Sequence, residues 1–130
     1  MTTNRAEFEE YIVSSFGIEP EHPWESHPSY TVFRHIGNRK WFAVIMDIPK
    51  QVLGIKEEGI ISAVNLKCDF VVMSSLKGQG GVFPGYHMNK NHWITVALDG
   101  SVEAPMLKWL LDISFELTSG HKKQKAKIKE

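Results

Sequence analysis

The stretch from Tyr30 to Ile48 reads as a β-hairpin, and it constrains the fold more than any other feature. Tyr30, Val32, Arg34 and Ile36 alternate with Thr31, Phe33 and His35, the period of a strand with two distinct faces. Gly37-Asn38 is a turn signal, and Lys40–Ile48 supplies a partner strand rich in aromatic and β-branched residues. Arg39 and Lys40 fall near the hairpin tip. Ile60–Lys67 resumes a strand, with Ile61, Ala63, Asn65 and Lys67 opposite Ile60, Ser62, Val64 and Leu66. Val82–Tyr86 is a short strand interrupted by Pro84-Gly85, and His92–Leu98 is another, closed by the Asp99-Gly100 turn.

Helices flank these strands. Residues 3–16 have Thr3 or Asn4 as N-cap, acids in the first turns, and Phe8, Tyr11, Ile12 and Ser15 on one face. Gly17 is the expected stop. Asp69 caps a short helix over Phe70–Leu76 that Gly78, Gly80 and Gly81 break. Glu103–Thr118 is the longest helix, with an apolar stripe from Met106 to Leu117 and Gly120 at its end. Between the first helix and the hairpin, Pro20, Pro23 and Pro28 exclude helix and central strand, and Trp24 is expected to pin this loop to the body. The order α-β-β-β-α-β-β-α with short links predicts an α+β fold: an antiparallel sheet with helices on one face.

At 130 residues the chain is the size of one domain. Residues 1–120 read as that domain, and 121–130 as a basic, flexible tail. The single cysteine, Cys68, excludes an internal disulfide and a Cys-rich zinc site. No apolar run is long enough to span a bilayer, and the N-terminal residues lack the apolar core of a secretory signal, so no membrane partner and a cytoplasmic setting are expected. Net charge is zero, but it is segregated: residues 1–28 carry −5, 29–90 carry +4, 91–121 carry −3 and the tail +4. A neutral total argues against a strong nonspecific nucleic-acid binder, whereas the basic middle leaves room for an anionic partner.

Candidate chemistry is sparse. Gly78-Gln79-Gly80-Gly81 resembles a phosphate loop only in composition, because no helix follows to aim its amides at an anion. The histidines lack the close spacing of a zinc site, so no metal is expected. No GxSxG elbow is present, and Cys68 reads as a buried structural thiol, so no catalytic residue, no cofactor and no enzymatic activity are expected. The run Pro84–Trp93 is different. Tyr86, His87, Asn89, Lys90 and His92 crowd together before an apolar strand. These residues suit phosphate contact, base-edge reading and stacking, and they equally suit a structural turn with Trp93 in the core.

That run, read as Tyr-His-Met-Asn-Lys-x-His-Trp over 86–93, follows Asn65-Leu66-Lys67-Cys68 and precedes Thr95-Val96 and a last helix with the Ser114-Phe115 pair. With the upstream Gly37-Asn38-Arg39-Lys40-Trp41-Phe42-Ala43, this pattern resembles the MmcQ/YjbR family. The Tyr-His-Met-Asn-Lys-x-His-Trp string is specific, and the match extends over most of the chain. The loop His22-Pro23-Trp24-Glu25 departs from the family's Pro-Phe-Gly type sequence. The resemblance implies a two-layer, twisted antiparallel sheet of the CyaY (frataxin) and secretion-chaperone kind. It also implies DNA as partner, gripped by strand hairpins acting as wings.

The expected function is therefore non-enzymatic DNA binding, with Arg34, Arg39, Lys40, Lys67 and Lys90 on phosphates and Tyr86, His87, Asn89 and His92 as polar or stacking contacts. The alternative is a protein- or peptide-binding module that accepts a partner at an exposed strand edge. An enzyme or small-ligand binder using the Tyr86–Trp93 loop is a third reading, and it needs a pocket with convergent polar groups.

Overall fold

The computed structural model of the chain describes residues 4–120. The lysine-rich tail and the alternative cap Thr3 lie outside those residues. The elements run α1 (Arg5–Phe16), β1 (Thr31–Arg34), β2 (Trp41–Pro49), β3 (Ile60–Lys67), α2 (Phe70–Ser75), β4 (Val82–Pro84), β5 (Trp93–Ala97) and α3 (Ala104–Ser119). The expected order is found, with one addition: a 3-10 turn at Lys50–Leu53 fills the β2–β3 connection. The Asn4 side chain accepts the Glu7 N–H at the start of α1, and the Asp69 side chain accepts that of Val72 at the start of α2. At Gly17 the backbone turns left-handed (φ 66°), and its N–H closes α1 on the Val13 carbonyl.

The five strands form one open antiparallel sheet in the order β1-β2-β3-β5-β4. β2 and β3 are neighbours in the interior of the sheet, and β2 is buried on both faces through most of its length because apolar clusters pack on each side. One face carries Phe33, Ala43, Ile45, Val64, Leu66, Ile94 and Val96, which pack with Phe8 and Ile12 of α1 and Leu107, Leu110 and Leu111 of α3. The opposite face holds a smaller apolar cluster of Met46, Ile48, Ile61, Ala63 and Ala97, fringed by Tyr30, Phe83 and Tyr86. Helices thus cover one face, and loops fringe the other.

The β1–β2 pairing slips between Phe33 and Arg34: Phe33 faces Ala43, but Arg34 faces Trp41. Phe42 is the extra residue of a bulge. Its ring joins the helix-side core beside Phe16, Phe33 and Phe115, although strict alternation would place it with Val44 and Met46. A bulge re-aims the side chains next to it. Here it turns Trp41 onto the open face.

Continuing the β2–β3 register past Val44–Asn65 would set Phe42 against Lys67. The Ser114 hydroxyl of α3 lies between them instead. It accepts the Lys67 N–H at 2.8 Å and donates to the Phe42 carbonyl at 2.6 Å. Helix α3 thus replaces a strand–strand hydrogen bond, and the two central strands part at this end. The neighbouring Phe115 ring stacks on Phe16 at 4.3 Å, so the Ser114-Phe115 pair locks α3 to the sheet and to α1 together.

Candidate nucleic-acid interface

The parted end of the sheet is where cations gather. A groove of about 390 Å³ is lined by Arg34, Arg39, Lys40, Trp41, Lys67, Trp93 and Thr118. Its floor alternates cation and aromatic across four strands: Arg34 from β1, Trp41 from β2, Lys67 from β3 and Trp93 from β5. Arg34 lies 5.7 Å from the Trp41 ring centre, and the Lys67 ammonium lies 5.9 Å from that of Trp93. Rings beneath cations hold the charged groups over the sheet and leave their outer sides to solvent. Arg39 and Lys40 come from the hairpin turn.

One carboxylate intrudes. Glu21 accepts from Arg34 Nε at 3.0 Å and from Arg39 Nη2 at 2.9 Å. It is held there by a two-residue bridge in which the Glu21 and Val32 backbones exchange hydrogen bonds of 2.9 and 2.8 Å. Among the described residues, neither Lys40 nor Lys67 forms an ion pair. The groove therefore keeps a positive excess of about three charges, despite the neutral total.

The hairpin tip is not a free wing. Asn38 donates to the Thr118 carbonyl at 2.8 Å, and the buried His35 ring bonds the Thr118 hydroxyl at 2.8 Å. Arg39 is held in the left-handed region (φ 63°), a conformation shared among the described non-glycine residues only by His87 (φ 61°). Non-glycine residues in that region are strained and need support from their surroundings.

The Tyr86–Trp93 loop divides between scaffold and surface. Asn89 is a turn former: its side-chain oxygen accepts the Asn91 N–H, and its carbonyl accepts those of His92 and Trp93. Lys90 reaches back to the Gly85 carbonyl at 2.9 Å and lines a different hollow, together with Lys77. The His92 side chain is exposed and lines neither hollow, while its carbonyl accepts the Cys68 N–H. Tyr86 and His87 face a second hollow on the open sheet face, of about 260 Å³. The sequence-derived set therefore separates into Arg34, Arg39, Lys40 and Lys67 at the groove, Tyr86 and His87 at the second hollow, and Asn89, Lys90 and His92 elsewhere.

Asn65 fixes the second hollow. Thr95 donates its hydroxyl proton to the Asn65 side-chain oxygen (2.5 Å) and accepts the Tyr86 N–H (2.8 Å), while the Asn65 amide donates to the Tyr86 carbonyl (2.9 Å). This closed ring of bonds clamps Tyr86 to β3 and β5. Trp41 was missing from the sequence-derived set. Its position depends on the bulge, which leaves no mark in the alternation; its place beside Arg39 and Lys40 was the one available signal. Trp24, expected to pin the proline loop, does so edge-on against Tyr30 and Trp41.

Burial pushes the Cys68 thiol up to about 11, with help from Asp69, so it stays protonated and unreactive. Among the described residues, no group of three or more His, Cys, Asp or Glu is placed to hold a metal ion. Nor is any helix there long and apolar enough to cross a membrane. The outer edges of the sheet offer little to a partner strand. Glu21 occupies part of β1, and β4 spans three residues ending in Pro84.

These features define an α+β domain with helices on one face of its sheet, loops over the other, and a basic, aromatic-floored groove at the parted end. The chain belongs to the YjbR family, whose sequence profile matches residues 4–117. It is 34% identical over 114 residues to the uncharacterised protein YyaQ of Bacillus subtilis, covering 88% of this chain and 97% of that one. Escherichia coli YjbR, also uncharacterised, is 38% identical over 63 residues, 48% of this chain and 53% of its own. Among solved structures, a Pseudomonas syringae protein superposes with a TM-score of 0.86 at 43% identity, covering 88% of this chain and 98% of that one. A Deinococcus radiodurans protein superposes at 0.59 with 27% identity, covering 79% of this chain and 69% of that one.

Proposed function

We propose that this protein binds DNA through the phosphate backbone, over the groove at the parted end of the sheet, in a binding rather than a catalytic role. The observation that carries this reading is the convergence of Arg34, Arg39, Lys40 and Lys67 on one groove floored by Trp41 and Trp93. These cations come from two strands and one turn. A positive groove with aromatic side chains in its floor is the physical form of a nucleic-acid track: cations hold phosphates, and rings tolerate any sequence. The modest positive excess predicts modest, salt-sensitive affinity rather than tight binding.

The test is fluorescence anisotropy of a labelled DNA oligonucleotide across a salt series. With about three phosphates neutralised, log affinity should fall against log salt with a slope of about −3 for a duplex or about −2 for a single strand. Lys67→Ala should make the slope shallower by about one phosphate's share. A flat salt response, or no binding at low salt, removes the proposal.

A further inference from the structure

The second hollow borders the groove, and Trp41 lines both. Building on the DNA-binding reading, we infer that this hollow receives a single unstacked nucleobase of a DNA strand whose phosphates lie on the groove. Its walls are rings set at right angles: Trp24 meets Tyr30 at 85° and Trp41 at 85°, with centroids 5.9 and 5.5 Å apart. Tyr86 closes another side, clamped by the Asn65–Thr95 ring of bonds. Met46 and Met88 add adaptable apolar surface, and Val44, Asn65 and the imidazoles of His27 and His87 complete the lining.

Size and charge select the guest. At about 260 Å³ the hollow falls below the range of roughly 300–1,000 Å³ typical of drug-sized ligands, so it suits one planar ring system. An aromatic box also suits a quaternary ammonium, but such boxes attract cations. Among the described residues no carboxylate lines the box, and the neighbouring groove is positive, so a cationic guest is disfavoured. A flat ring tethered to a negative group is favoured by both halves. The spacing agrees: Lys67 in the groove and Asn65 in the hollow are two residues apart on one face of β3, about 7 Å along a strand. A paired base inside a duplex is not free to enter, so the hollow selects single-stranded DNA or a base flipped from its stack.

The experiment compares three labelled ligands of equal length at one salt concentration: oligo-dT, the same backbone without bases, and a duplex. Intrinsic tryptophan fluorescence is read alongside anisotropy. The inference predicts that oligo-dT binds about tenfold or more tighter than the abasic strand and tighter than the duplex, and quenches tryptophan emission. Trp24→Leu, which changes a loop residue outside the main core, should bring oligo-dT down to the abasic level and leave the salt slope intact. Equal binding of oligo-dT and the abasic strand, a preference for duplex, or discrimination that survives Trp24→Leu would overturn the base pocket and leave the groove standing. No binding by any ligand would remove the groove and the pocket together.

Discussion

Arg39 separates function from stability more cleanly than any other residue in the groove. Its left-handed backbone costs a side chain what glycine avoids, and its ion pair with Glu21 is exposed. Arg39→Gly relieves the backbone strain but loses the pair and frees the unfolded chain. These effects nearly cancel, so stability should stay within about 1 kcal/mol of the parent while DNA affinity drops. Urea unfolding and anisotropy on the same preparation check both halves. Cys68 behaves in the opposite way, being structural and silent. Its folded thiol holds its proton up to about 11, against an ordinary value of 9.0. From about pH 9 the unfolded chain gives up that proton first, so ionisation favours unfolding. Stability should be unaffected by this group below pH 9 and should fall by about 1.4 kcal/mol per pH unit between 9 and 11. Cys68→Ala should abolish that part of the alkaline slope in denaturation curves.

Among the elements, α3 shapes the groove by holding its strands apart, and it lends the lining Thr118 but no cation. Ser114→Ala would leave the part-buried Lys67 N–H and the buried Phe42 carbonyl without their shared partner, costing about 1–3 kcal/mol in chemical denaturation. The β4–β5 loop has its own sensitive point. A Cβ at Gly85 would come within 2.8 Å of the Trp93 carbonyl, so Gly85→Ala should push the Tyr86 segment off β5 and weaken oligo-dT binding. Much at this scale was legible beforehand. Ile60–Lys67 matches β3 end to end, and the caps Asn4 and Asp69 and the stop Gly17 act as their chemistry predicts. What escaped was long-range. The Phe42 bulge and the Ser114 wedge depend on residues 72 positions apart meeting, and no local period records that. For the same reason Asn89 and Lys90 looked like contacts in a list of polar residues, whereas folding commits both to the loop's own hydrogen bonds.

For the whole molecule, charge placement outweighs charge total. The acidic first segment folds so that Glu21 sits beside Arg34 and Arg39, and it trims the groove rather than erasing it. Removing that brake by Glu21→Gln should raise DNA affinity at low salt by about three- to fivefold and steepen the salt slope by up to one phosphate. Segregated sequence charge hinted at such a surface, but it did not show which bases would converge. Lys50 pairs with Glu57 and Lys90 bends to the backbone, so the groove draws on four of the eight basic residues in the central segment. The most direct test of this placement is a ¹⁵N NMR titration of the protein with a short DNA strand. Amide and indole shifts should concentrate on Arg34, Arg39, Lys40, Trp41, Lys67 and Trp93. Shifts centred on Lys77 and Lys90, or no saturable shifts at low salt, would contradict the account.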